Sequence, residues 1–192
     1  MKEKIKNKFK DKVNETISNL ESLNSKDFLE NLSKSLIHIL NSLKSGNKII
    51  FCGNGGSAAD SQHLAGELVA QFLNKKRKSI PAISLTTNTS TITAIANDIN
   101  FKNIFSRQIQ SLGNSKDVLF CISTSGKSKN ILEALKAAKK NKMITILLTG
   151  KSKIKNQLID FQINVNGNRV DRIQEQHIMI GHYLCEFLEN NI

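Results

Sequence analysis

The segment Gly53-Asn54-Gly55-Gly56-Ser57 is followed by His63 and Glu67, four residues apart. An apolar run, Ile49 to Cys52, leads into the glycine-rich turn, and a helix follows it. The main-chain N–H groups of such a turn and of a first helical turn form a nest for an oxygen-rich ligand. Residues at i and i+4 share a helix face. An imidazole and a carboxylate at that spacing can share one metal ion. Strand end, nest and reactive side chains together read as an active site rather than a core.

A second loop, Ser123-Thr124-Ser125-Gly126-Lys127-Ser128, also follows an apolar run and opens a helix. Its hydroxyls and free amides suit a phosphate. Its end looks like a Walker A loop, but Cys121 stands where the first glycine is required. Gly53 to Ala58 formally matches the dinucleotide fingerprint G-x-G-x-x-A. No Asp or Glu occurs between Glu67 and Asp98 to hold a ribose, and the Lys75-Lys76-Arg77 cluster precedes the next strand. A sugar phosphate is therefore favoured over a nucleotide.

The third segment runs from Asp171 through Gln174 and His177 to His182. His63, His177 and His182 are three of the four histidines and lie in just two predicted helices. Gln174 and His182 are eight residues apart, about 12 Å along one continuous helix. Two ligands of one ion must approach within about 3–4 Å. If both bind one ion, either the helix starts after Gln174 or the site draws on two subunits. Gln is also a weak, neutral ligand. His177 is left open between a packed histidine and a catalytic one.

The positioning elements follow from periodicity. Residues 1–46 contain no Gly or Pro before Gly46 and carry two stripes at helical spacing. One is Ile5, Phe9, Val13, Ile17 and Leu20. The other, behind the capping residue Ser25, is Phe28, Leu32, Leu36, Leu40 and Leu43. These faces must cover the domain's own sheet or a partner subunit. From Lys48 onward, apolar runs predict strands at 48–52, 82–85, 117–122, 143–148 and 159–165. Helices are expected at 57–73, near 91–97, at 128–142 and at 170–189. That alternation predicts an α/β fold with a parallel sheet covered on both faces. Ligands of such sheets bind beyond the carboxyl ends of the strands.

The 192 residues suit one domain, or one with an appendage. With 39% hydrophobic and 23% charged residues the composition is that of a globular protein. No run approaches the roughly 20 apolar residues of a membrane span. The start lacks the apolar core of a signal peptide, so a cytoplasmic location is expected. The net charge of +12 raises nucleic acid as a partner. However, Lys2 to Lys12 alternate around the helix circumference, and the chain has one Tyr and no Trp. A solvated basic surface fits better, and no nucleic acid is expected. Cys52, Cys121 and Cys185 read as buried reduced thiols.

Together these residues resemble the phosphoheptose isomerases of the SIS-domain group. The carriers are Cys52 to His63, Leu85-Thr86-Thr87, Ala94-Ile95-Ala96-Asn97-Asp98, Ile122 to Gly126, and Asp171-Arg172-Ile173-Gln174-Glu175 with His182. The likeness spans about Lys48 to Leu188. It implies a three-layer, doubly wound parallel sheet over 47–192, with the helical segment 1–46 serving oligomer assembly. It implies a homotetramer with active sites between subunits, and one zinc per subunit on His63, Glu67, Gln174 and His182. Asn54, Gly55, Gly56, Ser57, Asn97, Asp98 and Gln174 would contact the sugar phosphate, and Ser123, Thr124, Ser125 and Ser128 its phosphate.

The implied reaction converts D-sedoheptulose 7-phosphate into D-glycero-D-manno-heptose 7-phosphate through an enediol, toward lipopolysaccharide or capsule. Glu67 and His182 would be acid and base, with Asp171 orienting His182 or a hydroxyl. Lys127 and Lys129 depart from the Asn and Pro common in the family. A non-catalytic tetramer that binds the replication initiator, or an isomerase of another sugar phosphate, is the alternative.

Overall fold

The structure is a computed structural model that describes residues 1–151 and 154–192. Two helices, α1 (Lys2–Glu21) and α2 (Lys26–Lys44), precede the sheet. The body continues with β1 (Ile49–Gly53), α3 (Gly56–Val69), β2 (Ala82–Ser84), α4 (Thr89–Ile95) and α5 (Ser106–Leu112). Then come β3 (Val118–Ser123), α6 (Lys129–Lys140), β4 (Ile144–Thr149), β5 (Phe161–Asn164) and α7 (Val170–Glu189).

All strand pairs are parallel, in the order β2-β1-β3-β4-β5. Successive strand side chains point to opposite faces, so each strand feeds two cores. Ile49, Phe51, Phe120, Ile146 and Leu148 pack against α2, α3 and α7. Ile50, Cys52, Leu119, Cys121 and Leu147 pack against α5, α6 and the turn at Ile104–Phe105. This is the expected three-layer, doubly wound arrangement. The strand order reverses between β1 and β3, so the loops after those two strands open side by side. A crevice at such a switch point is where open α/β sheets take their ligands.

The strand predictions fall within a residue or two of the observed strands. The third helix stops at Val69 rather than near Leu73, and α5 was not foreseen because a seven-residue helix offers too little periodicity. The three cysteines are free and buried. Among the described residues no helix is long and apolar enough to cross a membrane.

The two N-terminal stripes have different fates. In α2, Phe28, Leu32, Leu36, Ile39 and Leu43 are buried in the core of the domain itself. Ile39, not Leu40, is the fully buried member of the last turns. In α1 no residue is buried; Ile5, Phe9, Val13 and Ile17 are 61%, 70%, 41% and 49% exposed. Among the described residues of one chain, that apolar face stays largely exposed, and only Leu20 at its end packs on the core.

Candidate active site

The glycine turn is built as its sequence requires. Gly55 sits at φ +56°, and a Cβ on Gly53 would overlap the main chain of Ser57 in the first turn of α3. A side chain at Gly53 would thus push the helix N-terminus away from the strand. The second loop turns at Gly126, φ +63°, whose N–H donates to the Ser123 carbonyl and lies 3.2 Å from Ser123 Oγ. The side-chain amides of Asn54 and Asn130 exchange two hydrogen bonds of 2.9 and 2.8 Å, fastening one loop to the other. Asn130 was not singled out from sequence, because its partner lies 76 residues away.

Between the two loops lies a cavity of about 280 Å³ lined by Asn54, Gly55, Gly56, Ser57, Ser123, Thr124, Ser128 and Gln174, with Ile122 and Val170. Helix starts, hydroxyls and amides converge there, which suits a phosphate. Ser125 lies beside it without lining it; its Oγ accepts from the Lys127 N–H at 3.2 Å.

A second cluster forms where α3 meets α7. His63 and His182 face each other Nε2 to Nε2 at 2.8 Å, and Glu67 Oε1 is 3.5 Å from His63 Nε2. The ring of Phe72 stacks on His182 at 5.6 Å. Two imidazoles and a carboxylate are a donor set that zinc uses in catalytic sites. Two nitrogens bound tetrahedrally to one zinc stand about 3.3 Å apart, so at 2.8 Å these rings are a hydrogen-bonded pair, and among the described residues no trio already has ligand spacing. Nearby, burial pushes the Cys185 thiol up to about 12, with the Glu67 charge adding to the rise.

Gln174 is elsewhere. Because α7 is continuous from Val170 to Glu189, the helix does not begin after Gln174, and that resolution of the ligand spacing is removed. Gln174 lines the cavity between the two loops and fills the space that a Gly56 side chain would take. Asp171, at the start of α7, is about 16 Å along the axis from His182. Its carboxylate pairs with Arg169 and Arg172 at 2.6 and 3.3 Å. Partial burial would raise its pKa, but the hydrogen bonds from these two arginines hold it lower. Within one chain Asp171 therefore does not orient His182. Asn97 and Asp98 lie in the turn after α4, joined by a 2.7 Å hydrogen bond. Asp98 lines a separate cavity of about 600 Å³ with Thr87, Asn88 and Arg107. The chain thus carries the expected site residues in three groups, with Asp171 apart from them on Arg169 and Arg172.

Two polar residues beyond the expected set stand out. Asp60, three residues before His63, is half-buried with Oδ2 unpartnered among the described residues, and burial raises its pKa against the pull of His63. Arg77 does not belong to an exposed basic cluster: it is buried against Glu189.

His177 is packed, not pocket-lining. It is fully buried, and among the described residues neither ring nitrogen has a hydrogen-bond partner; the ring points at the Thr149 main chain without reaching bonding geometry. Burial, partly offset by Thr149, lowers its pKa from 6.5 to about 4. The unfolded chain therefore takes up a proton below about 6.5 that the folded chain refuses until about 4. Stability from this group is complete above the unfolded value and is lost as pH falls, at about 1.4 kcal/mol per pH unit. From pH 6.5 to 5, wild type should lose about 2 kcal/mol more than His177→Gln in urea unfolding. Parallel stability curves for the two proteins would contradict this origin.

The chain matches the SIS domain family model over residues 8–150. It is 51% identical to phosphoheptose isomerase 1 of Campylobacter jejuni, over 78% of this chain and 80% of that one. It is 40% identical to the phosphoheptose isomerase of Alteromonas mediterranea, over 100% of this chain and 96% of the relative. A solved phosphoheptose isomerase from Francisella tularensis superposes with a TM-score of 0.89 at 33% identity, covering 96% and 97% of the two chains. With a crevice of helix starts, hydroxyls and amides at its switch point and this kinship over its whole length, the chain belongs to the phosphoheptose isomerase family of SIS-domain proteins.

Proposed function

We propose that this protein isomerises D-sedoheptulose 7-phosphate to D-glycero-D-manno-heptose 7-phosphate, supplying heptose for lipopolysaccharide or capsule, as a zinc-dependent homotetramer. The observation that carries the reading is the division of labour along α7. Gln174 faces the phosphate cavity, while His182 faces His63 and Glu67 two turns further on. A phosphate loop with an acid–base cluster at a distance suits a long sugar phosphate whose reacting carbons lie at the end remote from the phosphate.

Ser123, Thr124, Ser128 and the nest at Gly55–Gly56 would hold the phosphate, assisted by Ser57 and Ser125. Asn54, Asn97 and Asp98 would take sugar hydroxyls. Glu67 removes the proton from C1; the pair of the C1–H bond becomes the C1=C2 π bond of the enediol as the C2=O π pair moves to O2, which gains a proton. Return of a proton to C2 and loss of the O1 proton leave the aldehyde at C1. His182 shuttles the oxygen-bound proton. His63, Glu67 and His182, completed by Gln174 of another subunit, would hold the zinc, which supplies Lewis acidity at the sugar oxygens when bound. Asp171 would meet His182 or a hydroxyl only across a subunit boundary.

What supports the assembly is the apolar face of α1, exposed at Ile5, Phe9, Val13 and Ile17. The separation of Gln174 from His182 on one rigid helix also calls for a second chain if both bind one ion. The test is turnover of sedoheptulose 7-phosphate by chelator-stripped protein with and without zinc. Heptose 7-phosphate formation restored by zinc is expected. Turnover of another sugar phosphate alone, or of none by folded protein, would overturn the reading.

A further inference from the structure

The centre at His63, Glu67 and His182 is divided between two helices, so its geometry depends on how α3 and α7 meet. Near the histidines they are pressed together at Gly181. A Cβ there would lie 2.6 and 2.7 Å from the two methyl carbons of Leu64, closer than any side chain permits. Leu64 neighbours His63 and Gly181 neighbours His182, so this contact brings the two rings together. A single contact fixes a distance but leaves the helices free to rotate about it.

The second contact is at the other end. Glu189 lies seven residues after His182, two turns along α7 and on the same face. Its carboxylate accepts from Arg77 Nε at 3.2 Å and from the N–H groups of Leu73 and Asn74 at 3.0 and 3.2 Å. The Arg77 guanidinium donates onward to the main-chain carbonyls of Leu68, at 2.8 Å, and of Glu67 itself. Those carbonyls belong to the last turn of α3, where intrahelical partners are missing and a cation is favoured. The side chains are 6% and 1% exposed. A buried ion pair contributes little net stability over apolar side chains of the same volume. What this pair adds is direction: five hydrogen bonds tie the end of α7 to the very residue that carries the carboxylate of the centre.

We infer that the buried Arg77–Glu189 pair is a positioning element for the His63–Glu67–His182 centre, setting the rotation of α3 against α7 while Gly181 sets their distance. The inference rests on the reading of that centre as the acid–base and zinc site. Arg77 and Glu189 touch neither substrate nor metal, and act through Glu67 and His182.

The test uses the full chain and two variants. Glu189→Gln keeps the shape and removes the charge. Arg77→Met/Glu189→Leu replaces the pair by apolar side chains, nearly neutral for the ion pair itself, with a loss of stability from the main-chain hydrogen bonds given up. Zinc affinity is read by competition with a chromophoric chelator, alongside kcat and KM. In the double variant, zinc should bind on the order of tenfold more weakly, as for loss of groups supporting metal ligands. Its kcat should fall while KM for the sugar phosphate holds, because the phosphate cavity is built by other loops. A folded double variant with wild-type zinc affinity and kcat overturns the inference. Should the variant be destabilised, the rise in Tm produced by a fixed zinc concentration decides: a smaller rise than in wild type supports the inference, and an equal rise overturns it. Wild-type protein that binds no zinc defeats the metal reading alone, and the kcat–KM split then judges the positioning role independently.

Discussion

Glu67→Gln is expected to lower kcat by about 10²–10⁴-fold, the range for loss of a positioned general base. The substitution preserves shape, so the variant should fold as wild type does. Glu67 is held by contacts that do not depend on its charge: its carbonyl is bound by Arg77, and its helix packs on α7. A glutamine amide cannot accept the C1 proton, and it is also a weaker metal donor than a carboxylate. Two measurements separate these losses. Deuterium exchange at C1 in heavy water reports proton abstraction, and zinc content reports ligation. Zinc retained with exchange abolished assigns Glu67 as base. Zinc lost in parallel makes it chiefly a ligand. Normal turnover would remove it from the mechanism altogether.

Gly53→Ala and Gly56→Ala should part company, although both alter the same turn. At Gly53 the new Cβ would lie 2.7 and 2.8 Å from the Ser57 carbonyl carbon and Cβ, and closer still to its oxygen. These atoms belong to the first turn of α3, so relief requires moving the helix start. Overpacking of that kind costs about 2–3 kcal/mol, and the phosphate nest should be lost with it. At Gly56 the obstacle is only the end of the Gln174 side chain, the position is exposed, and its φ is ordinary. Stability of Gly56→Ala should change by less than about 0.5 kcal/mol. Displacing Gln174 from the cavity should still raise KM about tenfold, the worth of one hydrogen bond to a charged group. Urea unfolding and substrate titration of both variants check the pair. Equal stability of the two would mean that the turn yields in a way this packing does not allow.

Much of this protein was legible in the chain because the signals are local. Alternating apolar runs and helical stripes carry their own period, so β1, β3, β4, α2, α6 and α7 were readable within a few residues. The glycine and hydroxyl loops follow strands and open helices within a single short window, so their place at the strand ends was readable too, and with it the expectation of a phosphate. His63 and Glu67 share a helix face by spacing alone. The likeness to the family then gave the expected site residues, though not which of them one chain brings together.

What the tertiary structure alone decided concerns partners remote in sequence. The strand order places the loops after β1 and β3 side by side, and no period in the chain encodes that order. The continuity of α7 separates Gln174 from His182, because a helix of fixed rise cannot fold back within eight residues. Asn130 gains its meaning from Asn54, and Arg77, which reads as one of a run of surface cations, gains its meaning from Glu189. Gly181 has no local signature at all: a glycine inside a helix only weakens it, until Leu64 of another helix occupies the space its side chain would need. The sequence by itself determined the elements and the chemistry at their ends, since those rest on hydrogen bonds and side-chain periods over a few residues. Only the packed structure decided which ends meet, because that depends on shape and buried charge across distances the local pattern does not record.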